Sequence, residues 1–360
     1  VQVQLAPTEM ALTQRSHGSQ LRRPTLEDVA RRSGVSKSTV SRVVNGEPRV
    51  RPEVVERVRE VVSELGYVPN QGARQLVTHR TGAVAVVAAH PADRLFLDPF
   101  FDCLLRGIRR ELARHGAQAV LLFLDEPDDY ARVADYLGGG HVDGALLFSL
   151  RPGDRLPEMA DRLGLPTVFG GRPLLRDGDT VHGHAYVDGD NRGGARQAVQ
   201  HLVALGRQRI ATVAGPYDQE NSAADRLAGY HDVLLDAPAD LVEKADYTRQ
   251  GGADAMAVLL DRRPDLDAVF VASDLMASGA LQTLRERGRR VPEDVAVVGF
   301  DDIVSIAEST DPPLTTVHQD VTEMGRLMAH LLMRDDGARD ATPGGSSVVV
   351  PTRLVRRGSA

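Results

Sequence analysis

The apolar positions of this chain follow two rules, and the change falls near Gly82. Between Pro24 and Thr81 apolar side chains are sparse and helically spaced. Leu26, Val29 and Ala30 share one face, and Thr25-Leu26-Glu27-Asp28 has the Thr-x-x-acid form of a capping box, which predicts a helix start. Ser33-Gly34-Val35 separates this from a second short pattern, for which Ser36 suits the N-cap. There Val40, Val43 and Val44 face inward, while Lys37, Ser38, Ser41 and Arg42 face out. A third helix is predicted from about Pro52 to Leu65 on the stripe Val54, Val58, Val61 and Leu65. Pro52 stands at its first position and Gly66 past its end. Two short helices joined by a tight Gly turn read as a helix-turn-helix, whose second helix lies in the DNA major groove. The following stretch, 70–81, contains Gly72 and is too short for a stable lone helix, so it reads as a linker that becomes helical when something holds it.

Beyond Gly82 short apolar runs alternate with amphipathic helical patterns. The runs are Ala83–Ala89, Ala119–Leu124, Gly144–Phe148, Pro166–Phe169, Arg209–Ala214, Ala268–Ala272 and Val295–Phe300. Helices such as Phe101–His115, Arg192–Leu205, Asp225–Leu235, Gly252–Asp261 and Leu275–Arg287 lie between them. This alternation predicts parallel sheets covered by helices on both faces. The runs are too many for one comfortable sheet, so two similar α/β lobes are expected, with a ligand crevice at the carboxyl ends of their strands.

The charge distribution supports the division. The 360 residues have a net charge of −7, but residues 21–80 hold 12 Lys/Arg against 7 Asp/Glu, and residues 81–360 hold 30 against 42. A basic N-terminal module on an acidic body suits local DNA binding. One cysteine, Cys103, excludes an internal disulfide and a Cys-rich zinc site. No apolar stretch is long enough to predict a membrane span. Residues 1–23 read as a disordered polar tail without a signal peptide, and Met10 is an alternative start. His182-Gly183-His184 reads as loop rather than metal site, and Gly138-Gly139-Gly140 as a turn rather than a phosphate cradle. No nucleophile-elbow context is present, so no enzyme and no cofactor are expected.

Several motifs in fixed order resemble the lactose/galactose repressor (LacI/GalR) family. They include Thr25-Leu26-Glu27-Asp28-Val29-Ala30, the Gly34–Asn45 segment, Leu65-Gly66-Tyr67-Val68-Pro69-Asn70 and Ala73-Arg74-x-Leu76. In the body stand Asp98-Pro99-Phe100-Phe101, Arg226-Leu227-Ala228-Gly229-Tyr230, Ala272-Ser273-Asp274, Val298-Gly299-Phe300-Asp301-Asp302 and Pro312-Pro313-Leu314-Thr315-Thr316-Val317. The resemblance covers nearly everything from Thr25 to Val355. It implies a cytoplasmic homodimer, with a tetramer as an alternative. The implied fold is a small all-α helix-turn-helix headpiece at 24–69, a hinge helix at 70–81 and a two-lobed α/β core like periplasmic sugar-binding proteins at 82–360. Lobe 1 is expected at about 82–186 and 317–346, lobe 2 at about 187–313 and 347–356, with crossings near Ala185–Asp188, Pro312–His318 and Ser347–Pro351.

By the same resemblance Lys37, Ser38 and Arg42 occupy positions that read base edges; Arg pairs with guanine O6 and N7. Thr25, Ser36, Thr39, Asn45 and Arg49 are candidates for phosphate contacts. Ala73 and Leu76 are matched to the hinge, where the Leu wedges open a minor-groove step. One departure is Arg51, which precedes Pro52 where relatives carry a Ser or Thr cap. For the effector crevice the candidates are Arg226 and Asp301, then Phe100 and Ser273, and more weakly Asp98, Ser149 and Arg172. Competing readings are a salt bridge for Asp301 or Arg226, and core packing for Phe101, which shares a helical face with Leu104, Leu105 and Ile108. The implied function is a DNA-binding transcriptional regulator, a repressor released from a palindromic operator by a sugar. The alternatives are a purine-type corepressor response and a sugar-binding transport protein. The segment Val168–Pro173 resembles regulators responding to glucosides or disaccharides.

Overall fold

The computed structural model describes residues 24–44, 46, 50–68, 80–88, 96–124, 126, 128–148, 154–173, 184–334 and 347–360. The chain divides into two compact units, Val1–His79 and Arg80–Ala360.

In the first unit, helices α1 (Leu26–Ser33), α2 (Lys37–Val44) and α3 (Pro52–Leu65) surround a core of Val29, Val40, Val43, Val58, Val61 and Tyr67. The local signals act as expected. The Thr25 hydroxyl accepts from the Asp28 amide while the Asp28 carboxylate accepts from the Thr25 amide at 2.9 Å. Gly34 ends α1 in the left-handed region at φ 71°. Arg51 makes no side-chain cap on α3, and Pro52 supplies the preset first turn instead.

The second unit carries two six-stranded sheets. Lobe 1 is built from β1 (Ala83–Ala88), β2 (Gln118–Phe123), β3 (Gly144–Phe148), β4 (Thr167–Gly170), β5 (Ala185–Gly189) and β11 (Ser347–Val350), in the order β11-β5-β4-β3-β1-β2 and parallel throughout. Helices α4 (Pro99–Arg114), α5 (Asp129–Gly138), α6 (Leu156–Leu163) and α12 (Val321–Met333) belong to it. Lobe 2 has β6 (Ile210–Ala214), β7 (Val242–Lys244), β8 (Ala268–Val271), β9 (Ala296–Asp301), β10 (Thr315–His318) and β12 (Arg353–Val355), in the order β12-β10-β9-β8-β6-β7. Only β12 runs antiparallel to its neighbour in this sheet. Its helices are α7 (Asn191–Ala204), α8 (Asn221–His231), α9 (Arg249–Arg262), α10 (Asp274–Glu286) and the short α11 (Val304–Ala307). Buried aliphatic side chains fill both faces of each sheet, which is why the strands read as unbroken apolar runs.

The lobe boundaries differ from the sequence expectation. Ser347–Val350, expected in lobe 2, pairs with Tyr186–Gly189 and extends the lobe 1 sheet, whereas Val317 and His318, expected in lobe 1, complete β10 of the lobe 2 sheet. All of β5 belongs to lobe 1. The three crossings fall at Gly189–Asn191, His318–Val321 and Val350–Arg353, each a few residues later than expected. The reason is that these strands complete their ladders before the chain leaves the sheet; apolar pattern alone does not show where pairing stops.

One contact sets lobe 1. A Cβ on Gly107 of α4 would stand 2.0 Å from the Thr322 carbonyl oxygen, and one on Gly325 of α12 would stand 2.1 Å from that of Leu104. The two helices therefore meet backbone to backbone. This brings Met324 and Met328 of α12 and Phe101 and Leu104 of α4 to one end of the lobe, where they line the crevice.

Candidate functional site

A cavity of the second unit lies between the lobes, at the carboxyl ends of the strands, and spans about 920 Å³ with its solvent-filled mouth included. Lobe 1 contributes Asp98, Phe100, Phe101, Phe148, Arg172, Asp188, Met324 and Met328; lobe 2 contributes Asn191, Asn221, Arg226, Tyr247, Ser273 and Asp301; Gln319 comes from a crossing.

Arg226, on α8, is 5% exposed and held by several partners. Its Nε donates to Asn191 Oδ1 at 2.9 Å, one Nη donates to the Ala272 carbonyl, and the other lies 3.3 Å from Asp301 Oδ1. The guanidinium stacks over the Phe300 ring, 3.8 Å from its centre. Asp301 also accepts from Gln319 Nε2 at 2.6 Å. Burial outweighs the neighbouring Arg226 and pushes the Asp301 carboxyl up to about 7. Asp274, wholly buried, accepts from the Thr316 hydroxyl and from the Ile303 amide at 2.8 Å; burial and then Asp301 raise it well above the usual carboxylate range. Burial likewise raises Asp188, which accepts from the amides of Arg172 and Gly189 and from Asn191 Nδ2. A crevice whose buried Asp188 and Asp301 are pushed toward neutrality is suited to an uncharged ligand that offers hydroxyl groups.

The expected crevice residues separate into classes. Asp98, Phe100, Arg172, Arg226, Ser273 and Asp301 all line the crevice. Asp98 and Ser273 also cap helices, accepting from the amides of Phe100 and Met276. Both competing readings hold in part. Arg226 and Asp301 do form a buried pair, and Phe101 is 4% exposed core yet still reaches the crevice wall. Ser149 lies outside the described residues. Arg172 extends from lobe 1 to lobe 2: its Nη2 donates to Asp225 at 3.0 Å and its carbonyl accepts from Asn221 Nδ2 at 2.7 Å. Its buried Nε has no protein partner among the described residues. Asp188, Asn191, Gln319 and Tyr247 were missed. The first three sit at or beside crossings, where a helix-start Asn and a strand-end Asp were the available signals.

In the first unit, Lys37, Ser38 and Arg42 are exposed on α2, and Thr25, Ser36 and Thr39 stand around its N-terminal end or at the start of α1. Ser36 Oγ lies 2.8 Å from the hydroxyls of both Ser38 and Thr39 and accepts from the Thr39 amide. Lys37 Nζ lies 2.9 Å from Glu27 in an exposed pair, which is weak enough to yield to a phosphate or base. Asn45, Arg49, Ala73, Leu76 and nearly all of the expected hinge helix lie outside the described residues, as does His182-Gly183. His184 stacks edge-on against Phe169, and among the described residues no His, Cys, Asp or Glu group is arranged to hold a metal. No helix among them is long and apolar enough to cross a membrane.

Residues 25–70 match the bacterial regulatory proteins of the lacI family, and residues 199–360 match the periplasmic binding protein-like domain. A transcriptional regulator from Thermobifida fusca, CelR, is 48% identical over 94% of this chain and 98% of its own length. The chain belongs to the LacI family. It is thus a DNA-binding transcriptional regulator with a helix-turn-helix headpiece and a two-lobed sensor. The ribose operon repressor of Escherichia coli is 33% identical over 86% of the chain and 92% of its own length. Among solved structures, a CelR–cellobiose complex is 46% identical, covers 94% of this chain and all of that one, and has a TM-score of 0.72. The lac repressor dimer bound to operator and an anti-inducer is 30% identical, covers 94% and 99%, and has a TM-score of 0.81.

Proposed function

We propose that this regulator is a repressor whose effector is a β-linked glucose disaccharide, with cellobiose as the first candidate. The observation that carries the reading is the crevice itself: a buried Arg226–Asp301 pair and the amides of Asn191 and Gln319 face a wall of Phe100, Phe101 and Phe148. A sugar ring has an apolar face and a polar rim, and this site offers both complements. The likeness to a CelR–cellobiose complex supports a two-ring ligand over a single ring.

In this reading Asp301 accepts ligand hydroxyls, Arg226 holds Asp301 in place and donates from its rim, Phe100 covers an apolar sugar face, and Arg172 offers its Nε. Asp98 and Ser273 orient the entry of their helices. Lys37, Ser38 and Arg42 read base edges in the major groove; Thr25, Ser36, Thr39, Asn45 and Arg49 hold phosphates; Ala73 and Leu76 act in the minor groove as paired hinges of a homodimer. Ligand that binds one relation of the lobes better shifts the population toward it and away from the operator-competent state. The protein acts in the cytoplasm and catalyses no reaction.

The test is a thermal-shift and calorimetric screen with cellobiose, glucose, maltose and ribose, followed by a band shift on the upstream region of its own gene. Cellobiose is expected to stabilise the protein and release the DNA. Stabilisation by ribose alone, or tighter DNA binding with cellobiose, contradicts the proposal. Arg42→Ala is expected to relax base preference and cost about 1–3 kcal/mol of operator binding.

A further inference from the structure

Asp301 faces the crevice because the backbone behind it takes an unusual path. At the end of β9 two successive non-glycine residues have positive φ, 111° at Asp301 and 57° at Asp302. Side-chain-bearing residues adopt this region when surrounding contacts over-determine them. Gln319 and Arg226 meet the Asp301 carboxylate. Asp302, which does not line the crevice, is held from elsewhere. Its carboxylate lies 3.0 Å from His318 Nδ1 and accepts from Arg357 Nη2 at 2.7 Å.

Arg357 is itself tightly fixed. Its amide donates to Thr315 Oγ1 at 2.8 Å and its Nη1 to the Leu314 carbonyl at 2.9 Å; Glu308 stands 3.9 Å from Nη2. The next residues bind the same two strands. The Gly358 amide donates to Pro313, and the buried Ser359 hydroxyl accepts from Thr315 and donates to Val297. The guanidinium therefore ties Asp302, just past β9, to Leu314, just before β10.

We infer that Arg357 is a positioning residue of the effector site: it pins Asp302 in the left-handed backbone and so aims the neighbouring Asp301 carboxylate into the crevice. The affinity arm of this inference rests on the sugar reading above; the backbone arm does not.

The test uses the full-length protein. Hydrogen exchange in the free protein is compared for wild type and Arg357→Gln, and cellobiose affinity is measured for these and for Arg357→Gln combined with Asp302→Gly. Arg357→Gln is expected to speed exchange across Phe300–Val304 by roughly threefold or more while the centre of the lobe 2 sheet is unchanged. Cellobiose affinity falls about tenfold or more, and Asp302→Gly recovers it to within about threefold, because glycine takes φ 57° without a Cβ clash. A merely structural Arg357 lowers the melting temperature with no recovery by glycine. Unchanged exchange in Arg357→Gln, or an affinity loss that glycine does not recover, overturns the inference. Should wild type not bind cellobiose, the sugar reading fails and the exchange arm still decides. Should Arg357→Gln not fold, Arg357→Lys, which keeps the charge but not the fork to Leu314 and Asp302, is expected to show the same pattern at smaller amplitude; wild-type behaviour overturns the inference.

Discussion

The two walls of the crevice are built by different physics. The lobe 1 wall is largely aromatic and thioether, from Phe100, Phe101, Phe148, Met324 and Met328, and it stands on a backbone-to-backbone helix crossing at Gly107 and Gly325. The lobe 2 wall is polar and held by hydrogen bonds, with Arg226 joined at once to Asn191, Ala272, Asp301 and the Phe300 face. Apolar contact gives area without direction, whereas fixed polar groups give direction. In the proposed reading lobe 2 orients the ligand and lobe 1 supplies much of the contact area.

Arg226→Ala attacks the lobe 2 wall hardest. It leaves the buried Asp301 carboxyl without its cationic partner and two further acceptors without their donor, and a loss of about 3–5 kcal/mol in chemical denaturation is expected, with effector response abolished. A loss below about 1 kcal/mol contradicts the view that the pair is structurally fixed. Next, Gly325→Ala drives a methyl into the Leu104 carbonyl and is expected to cost about 1–3 kcal/mol, weakening sugar binding through the displaced apolar wall. Denaturation followed by intrinsic fluorescence, with parallel calorimetry, reads both.

The pH dependence separates the walls more finely. A ligand hydroxyl donating to Asp301 favours its ionised form, and the free group stands near 7 because of burial. Binding therefore releases a proton below that point, so affinity rises with pH up to about 7 and then levels, by at most about tenfold per unit. Asp301→Asn should bind more weakly and lose this slope; calorimetry from pH 5.5 to 8.5 checks both. The smallest effect is expected at Phe100→Ala, on the order of 1 kcal/mol of sugar affinity with the pH slope intact. If Phe100→Ala removes the slope, the division of labour between the walls is wrong.

These walls were unequally legible in the sequence. Asp301 was legible as an acid that follows an apolar strand run, and Arg226 through the family motif that carries it. The headpiece was readable almost residue by residue, since the Thr25–Asp28 box, Gly34 and Pro52 are local signals that act within four positions. Asn191, Gln319 and Asp188 were not, because their role depends on where three crossings fall. That position is set by ladder pairing between segments far apart in the chain, such as Ser347–Val350 against Tyr186–Gly189. The path of Asp301 and Asp302 was equally hidden: it depends on Arg357, more than fifty residues away.

The central claim is that occupancy of this crevice controls the headpiece. Operator affinity, measured by fluorescence anisotropy on the upstream region of its own gene at fixed salt, tests it most directly in wild type and Asp301→Asn, with and without cellobiose. The account predicts that cellobiose weakens wild-type binding by about tenfold or more, while Asp301→Asn binds the operator like wild type and does not respond at the same sugar concentration. An operator affinity that cellobiose leaves unchanged in wild type, or lowers equally in both proteins, contradicts it.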